Sequence, residues 1–283
     1  MGSTVEGRVA LVPVVAPFRL DLTVAVLQRV PTNPVEVWTV DGRYLRAFEA
    51  PSGPLVWEVT AETPMRGPLR LSLHRRVHVG DARIFRPLLG RMLGCDVDLS
   101  GFYAIAAEIP VLAKLADRFR GVKPPRFASL WESLVSAIAF QQLSLVSGMA
   151  AMARLARQCM QPVLHRGRQL YPFPGAQAVQ ELSENELRAC GFSVAKARAL
   201  KAAAAAILDG ALREDELERL PDDEVAARLC QLSLAERAIE SDFHVKKGVI
   251  LPRKGLGETG RGALDLLPGV AAGAGPPVHL PHR

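Results

Sequence analysis

The chain has 283 residues, 49% hydrophobic and 23% charged. That is enough apolar material for one large or two modest folded domains, and it excludes an intrinsically disordered protein. Cys95, Cys159, Cys190 and Cys230 lie far apart with no C-x-x-C pair, which excludes a zinc ribbon or a ferredoxin-type cluster and argues against a disulfide framework. No apolar run approaches the roughly 18 residues of a membrane-spanning helix. Met1–Arg8 lacks the charged-then-apolar pattern of a secretory signal, so a reduced, cytoplasmic protein is expected.

The net charge of +6 is unevenly placed. Residues 101–200 carry 12 basic and 6 acidic side chains, whereas residues 1–100 carry 12 and 10, and residues 201–283 carry 11 and 13. A basic middle third suits an anionic partner such as nucleic acid, and equally a solvated basic face. Only 7 of the 35 basic residues are lysine, an arginine bias that reads as GC-rich coding rather than function.

In chain order, the first third predicts strands. Arg19–Leu27, Val35–Val40, Tyr44–Glu49, Leu55–Ala61 and Leu69–Leu73 alternate with period 2, punctuated by Pro31, Pro34, Asp41-Gly42 and Gly67-Pro68. Short connections favour antiparallel pairing. Ala82–Leu93 is the expected covering helix, bent or restarted at Pro87. From about Ser100 the period changes to 3.6. Helices are predicted at Ile109–Phe119, Leu130–Gln142, Leu145–Gln158, Val194–Leu208 and Asp222–Leu232. A short helix opens at the capping box Ser183–Glu186 and closes at Gly191. Arg166–Gly175 reads as a loop. Residues 248–283 hold 8 glycines and 5 prolines and show no period, so they read as an irregular tail.

These elements give an α+β protein: an N-terminal antiparallel β domain with its covering helix over 1–100, a helical domain over 101–247, and the irregular segment 248–283. Within the helical part, FASLWESLVSAIAFQQLSLVSGMAAMARLARQ at Phe127–Gln158 resembles the first core helices of the helix-hairpin-helix DNA glycosylases, in particular the DNA-3-methyladenine glycosylase II branch. AIAFQQLSL at Ala137–Leu145 is similar to that branch's A-I-x-x-Q-Q-x-S segment. LRACGFSVAKARALKAAAAAI at Leu187–Ile207 is similar to its L-x-x-x-G-[LF]-S-x-x-K-A helix pair. DVDLSGFYAIA and RFRGVKPPRF look like the connection from the β domain.

The resemblance covers about residues 18–232. It implies a helical domain of that kind behind the β domain, and hydrolysis of the N-glycosidic bond of alkylated bases in double-stranded DNA, as in base excision repair. It implies no metal and no cofactor, and a monomer with no membrane association. Such an enzyme turns the damaged base out of the stack, and a wedge side chain fills the gap. In the family the wedge comes from the Q-Q loop, which points to Gln141 and Gln142; the alternative is that both merely close a helix end. Trp131 and Phe140 could stack on a base or belong to the core. Lys196 and Arg198, beside a helix start, suit phosphate, or a solvated helix face.

The resemblance stops near Leu232. The family's L-x-G-[IV]-G-x-W-T-A hairpin and its later catalytic aspartate should follow, yet residues 211–247 contain no glycine, and no tryptophan occurs after Trp131. The helical domain therefore reads as incomplete at its C-terminal end. The catalytic residue is not assigned; Asp242, in SDFHVKK, is the first aspartate after that point and the remaining candidate. A shifted reading frame past Leu232 accounts for both the missing hairpin and the aperiodic tail. The alternative function is a non-catalytic DNA-binding or damage-sensing protein.

Overall fold

The computed structural model describes residues 4–5, 10–50, 53–75, 77–231, 243–246 and 249–252. In the N-terminal half, β1 (Thr4–Val5) and β2 (Ala10–Val12) precede α1 (Leu20–Gln28). Then come β3 (Glu36–Trp38), β4 (Tyr44–Phe48), β5 (Leu55–Ala61), β6 (Leu69–Leu73), β7 (Val77–His78) and α2 (Val79–Leu93). Five of these strands form an antiparallel sheet in the order β2-β6-β5-β4-β3, while β1 pairs with β7. The period of 2 sorts side chains onto two faces. Tyr44, Phe48, Leu55, Trp57, Val59, Leu69 and Leu71 pack with Val24 of α1 and with Phe85, Leu89 and Met92 of α2. Phe48 and Phe85 lie edge-on to Trp57 at 4.3 and 6.2 Å between ring centroids. Trp57 is fully buried; burying such a side chain contributes a few kcal/mol. Helix α2 runs through Pro87 to Leu93 instead of restarting there.

The strand expected at Arg19–Leu27 is α1. Its buried residues are Leu20, Thr23, Val24 and Gln28, a helical spacing of three and four. Leu20, Leu22, Val24 and Val26 also satisfy period 2, and a run this short carries both patterns. The packing chooses the helix: Val26 is 39% exposed while Thr23 is buried and its Oγ1 accepts from the backbone N–H of Lys123 at 3.1 Å.

In the helical half, α3 (Ser100–Ala107), α4 (Pro110–Arg118), α5 (Leu130–Phe140) and α6 (Leu145–Cys159) lead into β8 (Val163–His165) and β9 (Arg168–Leu170). Next come α7 (Ala176–Glu181), α8 (Glu184–Ala189), α9 (Val194–Leu208), α10 (Glu214–Leu217) and α11 (Asp222–Gln231), then β10 (Phe243–Lys246) and β11 (Val249–Pro252). The loop expected over Arg166–Gly175 is in part strand β9. It joins β8 through a two-residue turn at Arg166 and Gly167, both left-handed at φ 49° and 71°, as the favoured hairpin turn requires. Leu170 from this hairpin packs on Val37, Leu45, Ala47 and Val56, so the sheet is covered on its second face too. The β10–β11 pair takes up Val249–Pro252, where an irregular tail was expected. Asp242 and residues 253–283 lie outside the described residues.

Helix α5 is the centre of the helical core. Its Trp131–Ala139 stretch is buried throughout, with Leu134, Val135 and Ile138 meeting Leu155 of α6, Val179 of α7, Leu187 of α8 and Leu200 of α9. The capping box expected at Ser183–Glu186 is present, and Gly191 follows α8 at φ 100°. Helix α4, by contrast, has no buried residue.

Three side-chain contacts are among those that tie the halves together. Arg46 of β4, 2% exposed, pairs with Glu36 of β3 and with Glu132 of α5. Arg91 of α2 pairs with Glu214 of α10. Arg29, just past α1, donates to the Ser136 hydroxyl of α5 at 3.2 Å. Among the described residues no helix is long and apolar enough to cross a membrane.

Candidate nucleic-acid interface

The site is built on the turn between α5 and α6. Helix α5 begins at Ser129, whose hydroxyl accepts from the Glu132 N–H, and ends at Phe140 with Gln141 as its C-cap. Helix α6 begins after Ser144, whose hydroxyl accepts from the Ser147 N–H. Only Gln141–Ser144 separate two helices whose ends are both fixed. Gln142 is exposed and left-handed at φ 52°, a conformation costly for a side chain larger than glycine's. Leu143 and Val146 beside it are 40% and 70% exposed. The turn thus presents one amide and two apolar groups outward, a chemistry that suits insertion between stacked bases.

The base of the turn is held from two sides. Lys196 of α9 donates from Nζ to the backbone carbonyls of Ala139 at 2.9 Å and of Gln141 at 2.6 Å. These are C-terminal carbonyls of α5 left without intrahelical partners, and a cation suits them. Burial holds the Lys196 ammonium below the usual lysine range. On the other side the Phe140 ring lies against Gly148 of α6: a Cβ there would sit 2.4 Å from two ring carbons, so only glycine admits the ring.

Of the four expected DNA-binding residues, the structure brings Gln141 and Lys196 together and leaves Gln142 at the exposed tip. Lys196 therefore serves the loop directly, whatever it offers to phosphate. Arg198 is elsewhere. Two positions along α9 turn it away from Lys196, and its Nε lies 3.5 Å from Glu184 of α8, both exposed. Trp131 is core, with its indole N–H donating to the Pro174 carbonyl at 2.8 Å. Phe140 is partly buried in the stack with Gly148. Sequence reasoning missed Arg29, whose guanidinium carbon stands 4.7 Å from the Phe140 ring centroid and 5.3 Å from that of Phe127; misreading α1 as a strand hid it. Among the described residues no three His, Cys, Asp or Glu side chains converge on a point that could hold a metal ion.

The chain matches known proteins over the part that carries this turn. Residues 135–255 match the model of the HhH-GPD superfamily base excision DNA repair proteins, a match that runs past Leu232, where the motif resemblance ends. The chain has the fold of a helix-hairpin-helix DNA glycosylase. Its structure superimposes on the 3-methyladenine DNA glycosylase of Archaeoglobus fulgidus with a TM-score of 0.61 and 22% identity, over 78% of this chain and 73% of that one. The 8-oxoguanine glycosylase/lyase of Clostridium acetobutylicum, solved with double-stranded DNA, gives 0.61 and 18% identity over 87% and 82%. In sequence, the chain is 30% identical over 122 residues to DNA-3-methyladenine glycosylase 1 of Schizosaccharomyces pombe. That alignment spans 43% of this chain and half the length of the relative.

Proposed function

We propose that this protein is a DNA repair glycosylase of the monofunctional kind, one that binds duplex DNA as a monomer, everts an alkylated purine such as 3-methyladenine and releases it by hydrolysis. The observation that carries the reading is the exposed, left-handed Gln142 at the tip of a turn anchored by Lys196. A rigid intruding side chain fills the space an everted base leaves, and holding it ready lowers the cost of unstacking. The segments on either side, Ala137–Leu145 and Leu187–Ile207, are those that resemble the 3-methyladenine branch. A cationic alkylated purine is already a good leaving group, so a carboxylate near the sugar and positioned water suffice, with neither metal nor cofactor. Lysine nucleophiles define the lyase-competent variants of such chemistry. Lys196 spends its ammonium on two backbone carbonyls, so it is not the free amine a lyase step needs.

A second reading, a DNA-binding or damage-sensing protein without catalysis, is favoured by one fact: residues 211–247 contain no glycine with which to build the phosphate-binding hairpin. A reading-frame shift after Leu232 would produce the same absence. Release of base from methylated duplex DNA distinguishes these. The expected result is weak or absent release by the full chain, and strong release once the segment after Leu232 is replaced by an in-frame family segment. No borohydride-trapped adduct should form with either protein. No duplex binding by either protein overturns the glycosylase reading, and a trapped adduct overturns its monofunctional form. If the full chain is active, Asp242→Asn tests the remaining carboxylate candidate.

A further inference from the structure

Arg29 is placed at some cost, and its contacts among the described residues are neutral ones. It closes α1 with φ 61° and ψ −48°, outside the left-handed helical well and near the strained positive-φ γ-turn, which the Val30 N–H completes by donating to the Gln28 carbonyl at 2.6 Å. Its guanidinium is partly buried, and desolvation pulls its pKa down from the usual arginine range to about 10. Among the described residues no carboxylate pairs with it. Its contacts are the Ser136 hydroxyl at 3.2 Å and the faces of Phe127 and Phe140. Arg46 of the same seam is buried and has two carboxylates, so this seam does supply acids to cations; among the described residues Arg29 is left without one.

Its position gives the reason. Phe140 is the last residue of α5 and is trapped between Arg29 on one side and Gly148 on the other. The next two residues are Gln141 and Gln142. A planar guanidinium over that ring, 4.7 Å from its centroid, restrains the ring's tilt, and so the point from which the turn departs. A guanidinium that keeps N–H donors beyond Ser136 and lacks an acid also leaves room for an external anion.

We propose that Arg29 is a positioning residue for the Gln141–Gln142 turn, and that its unneutralised guanidinium takes a backbone phosphate of bound DNA. This rests on the glycosylase reading above. The test uses the full chain and a short duplex holding a tetrahydrofuran abasic-site analogue next to 2-aminopurine. Intrusion of Gln142 unstacks the 2-aminopurine and raises its fluorescence. Arg29→Met removes the charge; the slope of log K against log salt should become shallower by about 0.9, one phosphate's worth, so that the loss of affinity between 50 and 200 mM salt shrinks about 3.5-fold. Arg29→Lys keeps a charge and the slope, but has no planar group to set against the rings; its fluorescence rise should fall toward that of Gln142→Ala. Thermal melting of both variants reports that they are folded. A wild-type slope in Arg29→Met overturns the phosphate contact, and a wild-type fluorescence rise in Arg29→Lys overturns the positioning role. If the wild-type chain itself neither binds this duplex nor raises fluorescence, the glycosylase reading fails, and this proposal with it.

Discussion

Arg46→Met should be among the most destabilising single substitutions in the chain. Arg46 is 2% exposed, between Glu36 at 9% and Glu132 at 7%, and its guanidinium carbon lies 4.9 Å from the Phe48 ring centroid. Methionine keeps most of the apolar stem, so the packing against Phe48 largely survives and the change isolates the charge. Two buried carboxylates then face one another without a cation, retaining only the Tyr44 hydroxyl on Glu36 and the Ala128 N–H on Glu132. Breaking a buried pair from one side costs about 3–5 kcal/mol, out of a total stability on the order of 5–15 kcal/mol. For a chain of this size that is a fall in Tm of roughly 6–20 °C. Scanning calorimetry on the full chain measures it. The triple variant Arg46→Met, Glu36→Gln, Glu132→Gln removes every formal charge and should recover much of the loss, since neutral amides cost far less to bury than unpaired carboxylates. A Tm for Arg46→Met within about 2 °C of wild type would refute the reasoning, because it would mean that the two carboxylates find water or protons without difficulty.

Two further substitutions separate the turn from a support, and a third tests a pH dependence near the sheet. Gln142→Ala should leave Tm within about 1 °C, since an exposed side chain is removed and alanine tolerates the left-handed backbone no better, while the 2-aminopurine signal at an abasic-site analogue is lost; retention of the signal argues against intrusion by this residue. Gly148→Ala places a Cβ 2.4 Å from the Phe140 ring, so the ring must move at a cost of about 1–3 kcal/mol, and both Tm and the 2-aminopurine signal should fall together. His74 carries a pH dependence. Its imidazolium is disfavoured by burial, and by His165 and Arg75 nearby, while its Nδ1 accepts from the Val56 N–H at 2.8 Å and so must be unprotonated. With the folded pKa below the unfolded 6.5, the unfolded chain takes up the proton first. Stability is therefore full above about pH 6.5 and falls as pH drops below it; His74→Gln should flatten that part of a Tm-against-pH curve, and an unchanged slope would count against it.

What the sequence revealed, and what it did not, follows one physical line. Strands β3 to β6 are legible because Pro and Gly turn residues bound them, helices α5, α6 and α9 because their period of 3.6 runs over eleven or fifteen residues, and α8 because Ser183 marks its start by chemistry that is local. The turn holding Gln141 and Gln142 is legible for the same reason: its identity lies within nine consecutive residues. Helix α1 was misread because its nine residues satisfy two periods at once, and only the distant Lys123 N–H and the sheet decide between them. The hairpin β8–β9 was misread because its two short strands, three residues each, become strands by packing on a sheet formed more than a hundred residues earlier. Buried charge is the least legible of all. Arg46 reads as an exposed arginine until Glu132, 86 residues on, is placed beside it, and Arg29 reads as an ordinary basic residue until Ser136 is found 107 residues away with two aromatic faces and no carboxylate. The same property makes Arg29 informative once seen: a charge that local sequence does not call for, on a strained backbone, beside the exposed α5–α6 turn, marks where the folded protein has left room for something outside itself.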